Sequence, residues 1–174
     1  MARALDFAIL TAARTGEVIG ALWSEIDMED ALWTVPAGRL KAGREHRVPL
    51  SAPPLAVLRK MAKLRTNAGP DQVVFPGQRQ GQGLSNMAML VLLRRMERAD
   101  LTTHGFRSSF RDWAAETGKP NDIAEAALAH TLGDKTQAAY QRGDLLERRR
   151  KLTDAWGAYC EKPPADVVRL RKVG

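Results

Sequence analysis

Residues 2–13 are predominantly apolar and rich in alanine and leucine, a composition that favours helix. Arg14-Thr15-Gly16-Glu17 interrupts the run, and Thr15 is placed to cap a second helix through Val18, Ile19, Ala21 and Leu22. From Trp23 to Leu50 the rhythm shortens. Trp23, Ile26, Leu32-Trp33-Thr34-Val35 and Val48-Pro49-Leu50 are brief β-prone runs, parted by Asp27-Met28-Glu29-Asp30 and by Lys41-Ala42-Gly43-Arg44. They predict a small antiparallel sheet of three strands, whose second connection is a cationic tip with Arg39, Lys41, Arg44, His46 and Arg47. Such a tip is too charged to pack and is suited to run along a phosphate backbone.

Helical spacing then returns. Ser51-Ala52-Pro53-Pro54 opens a helix to about Arg65, with proline tolerated in the first turn, and Asn67-Ala68-Gly69-Pro70 ends it. Val73-Val74-Phe75 reads as a short buried strand, and Gly77 to Gly83 as a polar, glycine-rich loop. That loop lacks the Gly-Lys-Ser/Thr ending of a nucleotide-binding loop. Ser85-Asn86 is placed to cap a helix with Met89, Leu90, Leu93 and Met96 on its apolar side and Arg94, Arg95 and Arg98 elsewhere. Thr102-Thr103 precedes a helix from about His104 to Thr117, closed by Gly118. Asn121-Asp122 caps the next, through Ala129, and a short helix after Gly133-Asp134 presents Tyr140. A last amphipathic helix covers about Leu145 to Tyr159. The fold class is therefore mainly α with a small three-stranded antiparallel sheet. One domain over 1–162 is expected, followed by a tail over 163–174.

Composition narrows the partners. At 174 residues the chain has the length of one domain, and 27 Lys+Arg against 20 Asp+Glu leave a net charge of +7. A basic surface concentrates polyanions, so nucleic acid is the first partner to weigh. A lone Cys160 excludes an internal disulfide and a multi-cysteine metal site. No apolar run approaches the ~18 residues of a membrane span, and Asp6 breaks the apolar segment a signal peptide needs. An intracellular protein is expected.

The reactive side chains concentrate between His104 and Tyr140, a stretch with two of the chain's 3 histidines and one of its 2 tyrosines. His104 and Arg107 are three apart and share a helical face. In a first turn that face also sees unpaired N–H groups, a natural anion site. An arginine fork pairs with two phosphate oxygens, and a second arginine, for which Arg14 is the candidate, can neutralise charge built up in a displacement. A tyrosine hydroxyl, with a reference pKa near ~10, needs a base or a cationic field to act as a nucleophile. His104 can supply either, and Lys41 on its tip can protonate a leaving sugar oxygen.

Taken in order, five segments resemble the tyrosine recombinase (phage integrase) family, most of all the integrases of prophages and genomic islands. They are Ala13-Arg14-Thr15-Gly16-Glu17; Arg39-Leu40-Lys41 with His46 to Ser51; Thr103-His104-Gly105-Phe106-Arg107; Leu128-Ala129-His130; and Ala139-Tyr140. Phe106 to Ala114, and Ala139-Tyr140-Gln141-Arg142 through Arg150, sharpen the likeness, which covers roughly residues 5 to 160. It implies the family's catalytic-domain fold and a route shared with type IB topoisomerases. Tyr140 would attack the scissile phosphate, forming a 3′-phosphotyrosyl link and freeing a 5′-hydroxyl, with neither metal nor ATP and no other cofactor. Arg14 and Arg107 would clamp the phosphate, Lys41 would be the general acid, His104 would assist proton transfer, His130 would hydrogen-bond the phosphate, and Glu17 would orient Arg14. Arg39, Arg44, His46, Arg47, Ser85 and Asn86 are the candidate DNA contacts.

The resemblance further implies a bacterial cytoplasmic protein acting on double-stranded attachment-site DNA, as a homotetramer when full length, with accessory DNA-bending proteins. Family members usually carry an N-terminal DNA-binding region, whereas this chain begins almost directly at the helix leading to Arg14. The expectation is an isolated catalytic domain, monomeric by itself. A second reading is a non-catalytic basic DNA-binding or regulatory module derived from an integrase. An RNA-associated helical protein is disfavoured, since no aromatic platform is evident in the sequence.

Overall fold

The computed structural model describes residues 1–40, 43–65, 69, 71–79, 81–130 and 145–163. Lys41, Tyr140, the short helix expected around Tyr140 and nearly all of the 163–174 tail lie outside the described residues. The helices are α1 (Ala2–Thr11), α2 (Thr15–Ile19), α3 (Ala52–Ala62), α4 (Ala88–Arg95), α5 (Thr103–Glu116), α6 (Asn121–Ala127) and α7 (Leu146–Cys160). Between α2 and α3 lies an antiparallel sheet of β1 (Ile26–Asp27), β2 (Leu32–Val35) and β3 (His46–Pro49), in that order. Its register pairs Ile26 with Trp33, Trp33 with Val48, and Val35 with His46. Trp33 and Val35 alternate inward with half-exposed Leu32 and Thr34, the two-residue period of a strand with one face on the core.

Two packed clusters hold these elements. In the larger, Phe7 of α1 meets Trp33 at 5.3 Å and Phe75 at 5.4 Å between ring centroids, so α1 presses the sheet against the segment after α3. In the smaller, Phe110 and Trp113 of α5 pack on Trp156 of α7, at 5.4 and 5.1 Å, beside Ile123 and Leu128. The Trp156 indole N–H donates to the Ile9 carbonyl at 2.9 Å, tying the two clusters together through α1. No helix among the described residues is long and apolar enough to cross a membrane.

The sequence pattern and the coordinates part at several ends. The second helix stops at Ile19, because Gly20 ends it and Leu22 turns away to bridge Val73. Val73-Val74-Phe75 forms that single bridge rather than a strand, although Val74 and Phe75 are buried as expected. β3 begins at His46, so His46 and Arg47 belong to the sheet and not to the tip. Neither Ser85-Asn86 nor Asn121-Asp122 caps its helix. The N-cap positions are Met87 and Pro120, with no side-chain cap bond at either. Met96 is exposed because α4 ends before it, in a turn through Glu97 at φ 60°. The glycine-rich loop packs on α2: Gly77 N–H donates to Gln82 O at 2.8 Å, and a Cβ on Gly83 would collide with the Ile19 carbonyl.

Candidate active site

The site begins at the corner between α1 and α2. α1 ends at Ala12 in the left-handed conformation, φ 49°, which swings the chain so that Arg14 enters α2 as its N-cap. Thr15, expected there, is instead the first helical residue. Glu17 does the capping. Its Oε2 accepts the Arg14 backbone N–H at 2.9 Å, and its Oε1 accepts the Arg14 guanidinium at 2.8 Å. A buried carboxylate at a helix start also meets the positive end of the helix dipole. Arg14 is thus fixed at both backbone and side chain, while about two-fifths of its side chain stays open to solvent (41%).

A second corner faces it at the end of α6. Ala129 takes φ 49°, His130 N–H donates to Glu125 O at 3.0 Å, and Ala129 N–H donates to Ala126 O at 3.2 Å. This pair of bonds is a Schellman ending. It leaves the Leu128 carbonyl pointing out of the helix, where both arginines reach it, Arg107 Nη2 at 2.8 Å and Arg14 Nη2 at 3.4 Å. The carbonyl before it, Ala127 O, lies 3.2 Å from His46 Nε2. Cations placed against the negative end of a helix are stabilised there.

Arg107 is 5% exposed, and its Nη1 also donates to the Ala12 carbonyl. Burial and the neighbouring Arg14 charge lower its pKa to about 10, against a smaller opposing effect of Glu17, so it stays cationic at neutral pH. His130 Nε2 lies 3.4 Å from Arg107 Nη2, and His130 Nδ1 lies 2.7 Å from Glu125 Oε2. Arg111 Nε donates to the other Glu125 oxygen at 2.7 Å. Burial alone would raise the Glu125 carboxyl, but the hydrogen bonds from His130 and Arg111, with their charges, outweigh it and hold it below the usual value.

Of the sequence candidates, Arg14, Glu17, Arg107 and His130 come together, from α2, α5 and the end of α6. His104 stands exposed on the first turn of α5, one turn before Arg107; that helix is capped by Thr102, whose hydroxyl accepts Gly105 N–H at 3.0 Å. Arg44, Ser85 and Asn86 are exposed. Arg39, expected to face a phosphate backbone, turns inward instead. It pairs with Glu25 at 2.6 Å and donates to Glu17 O at 2.6 Å, bracing α2 against the sheet. His46 likewise faces the protein. Burial lowers its pKa to about 4, helped by the charges of Arg149 and Arg14 and opposed by Glu17 and the Ala127 carbonyl. Arg47 pairs through its backbone with Thr34, and its carbonyl accepts Arg149 Nη1 at 2.6 Å. Glu125 and Arg111 were not among the sequence candidates, though Glu125 lies five residues before His130, the span a Schellman ending closes.

Two guanidiniums on one carbonyl, one of them partly open to solvent, stand with an imidazole beside them, and such donors are of the kind that pair with phosphodiester oxygens. Residues 1–145 match the sequence profile of the Phage integrase family. The chain belongs to that family. Among integrases, it is 37% identical over 168 residues to "Prophage integrase IntA" of Escherichia coli strain K12, covering 95% of this chain and 38% of the relative. To "Prophage integrase IntZ" of the same organism it is 37% identical over 157 residues, covering 87% of this chain and 37% of that protein. The chain therefore spans under half the length of these relatives. The fold is shared with the integrase from mycobacterium phage Brujita (TM-score 0.68, 17% identity, 94% of this chain and 54% of that one). It is shared as well with XerA recombinase (TM-score 0.60, 15% identity, 94% and 62%). The Tn1549 transposon integrase, solved in complex with circular intermediate DNA, is a further integrase of this fold (TM-score 0.53, 16% identity, 80% and 58%).

Proposed function

We propose that this chain is the catalytic part of a tyrosine-type site-specific recombinase that cuts and rejoins double-stranded DNA in the integration or excision of a mobile element. The observation that carries the reading is the meeting of Arg14 and Arg107 on one carbonyl, with His130 beside them. In the free protein the Leu128 oxygen holds both forks together, so a phosphate arriving there meets donors already placed. The complex of the Tn1549 integrase with DNA supports the choice of partner.

The proposed reaction is a pair of displacements at phosphorus. Tyr140 Oη attacks the scissile phosphate while the bond to the 5′-oxygen breaks. The phenolic proton passes to a base, for which His104 is proposed, and the departing 5′-oxygen takes a proton from Lys41. Arg14, Arg107 and His130 offset the negative charge on the phosphoryl oxygens, and Glu17 keeps Arg14 in place. A 5′-hydroxyl from a partner strand then attacks the 3′-phosphotyrosyl link and returns the tyrosine. The bond energy stays in that link, so the scheme calls on neither a metal ion nor ATP. Exchange between two duplexes is proposed to use a tetramer on DNA with accessory DNA-bending proteins.

A nicked suicide duplex spanning the junction of the mobile element tests the reading. The expected result is a covalent protein–DNA adduct on a denaturing gel, formed in the presence of a chelator and abolished in Tyr140→Phe. A salt-sensitive mobility shift with no adduct at any protein concentration would instead favour the non-catalytic DNA-binding module.

A further inference from the structure

The recombinase scheme assigns no role to Glu125 and Arg111, yet they complete the only hydrogen-bonded chain that reaches His130 from behind among the described residues. Glu125 is buried (9% exposed) on α6, and its two carboxylate oxygens are divided between two partners. Oε1 takes the Arg111 Nε–H from α5, and Oε2 faces His130 Nδ1. The Schellman ending of α6 sets this up, because the His130 backbone N–H is already bonded to the Glu125 carbonyl. Backbone and side chain of His130 are therefore both fastened to the same residue. Its other ring nitrogen, Nε2, is left facing Arg107 Nη2.

We propose that Glu125, held by Arg111, is a positioning residue for the phosphodiester chemistry: it fixes the ring and tautomer of His130 so that Nε2 faces the phosphate site. The inference rests on the recombinase reading above. A carboxylate can only accept, so the neutral imidazole must carry its proton on Nδ1. Arg107 can only donate, so an unprotonated Nε2 is also what its guanidinium requires. Both neighbours demand the same tautomer. The carboxylate behind the ring also balances the charge of an imidazolium, should Nε2 take up a proton and donate to the substrate.

An amide substitution makes the proposal testable without DNA. In Glu125→Gln there is one oxygen, and Arg111, which offers only donors, claims it. The amide NH₂ then faces His130 Nδ1 and drives the ring proton to Nε2, and that edge, now a donor, turns from the Arg107 donor it faced at 3.4 Å in the parent. Removing the competitor, in Glu125→Gln/Arg111→Ala, frees the oxygen to turn toward Nδ1 and restores the first tautomer. Nitrogen-15 correlation spectra of the imidazole, recorded where His130 is neutral, read these states directly. The expected series is Nδ1–H in the parent, Nε2–H in Glu125→Gln, and Nδ1–H again in the double variant. A parent spectrum showing Nε2–H, or one that does not change on Glu125→Gln, overturns the proposal.

The functional arm is the rate of adduct formation on the nicked suicide duplex in Glu125→Ala, with its urea midpoint as a check on folding. Loss of a carboxylate that orients a metal-bound histidine costs about 10- to 100-fold, and the same order is expected for His130. That loss is expected in the rate, with DNA affinity held within about twofold. Adduct formed at the parent rate by a folded Glu125→Ala overturns this inference and leaves the recombinase reading intact. No adduct from the parent protein overturns both.

Discussion

Ala129 adopts a conformation that costs an L-residue roughly 1 kcal/mol, at φ 49°, and it does so where the site needs it. Its left-handed turn exposes Leu128 O to the arginines and folds His130 back over Glu125. Ala129→Gly is therefore expected to raise unfolding stability by about 0.5–1 kcal/mol, read as a higher urea midpoint at unchanged slope. Arg107→Lys tests the fork. Lysine keeps the charge but cannot serve the Ala12 and Leu128 carbonyls and a phosphate together. Adduct formation is expected to fall about 10²- to 10³-fold, measured as a single-turnover rate. At this scale Arg14, Glu17, Arg107 and His130 were picked out by residue type and order, and the fold brings those four together. Glu125 was not, because its contact with His130 depends on a turn that alanine, rather than glycine, closes; nor was the inward turn of Arg39, which depends on Glu25, 14 residues earlier in the chain.

α6 is the element on which the site converges. It spans Asn121–Ala127, and its last carbonyls receive His46 from β3, Arg14 from α2 and Arg107 from α5. His46 gives this junction a pH dependence whose sign is fixed. The unfolded chain protonates His46 below its ordinary value of 6.5, whereas the folded chain refuses the proton until about pH 4. Stability is thus full above about pH 6.5 and declines as pH falls toward 4, by roughly 3 kcal/mol for a shift of that size. Urea midpoints at pH 7 and pH 5 should differ in the parent, and the difference should shrink in His46→Gln. Helix interiors followed from apolar spacing, while three helix starts did not. Arg14, Met87 and Pro120 occupy cap positions where the sequence offered Thr15, Ser85-Asn86 and Asn121-Asp122. Capping preference is worth only about 1 kcal/mol, which packing of the flanking segments readily overrides.

For the whole molecule, the net charge of +7 favours encounter with polyanions, of which DNA is the proposed one. Binding to a duplex should weaken linearly in log–log terms as salt rises, each neutralised phosphate adding about −0.9 to the slope. Fluorescence anisotropy over a salt series measures this; a flat response would mean that the basic surface is not the contact. The mainly helical architecture with one three-stranded sheet was readable because the apolar period changes at Trp23 and again at Ser51. The joining of its two cores was not, since the Trp156 bond to Ile9 links residues 147 apart in sequence. What decides whether the assembled site does its proposed work is the chemical identity of the bond it makes to DNA. Proteolysis of the adduct from a nicked duplex, followed by mass spectrometry and end-labelling of the released strand, reads that bond. A Tyr140 peptide joined to a 3′-phosphate, with a 5′-hydroxyl that accepts label without prior phosphatase treatment, is the expected result. A link through another residue, or to a 5′-phosphate, would contradict it.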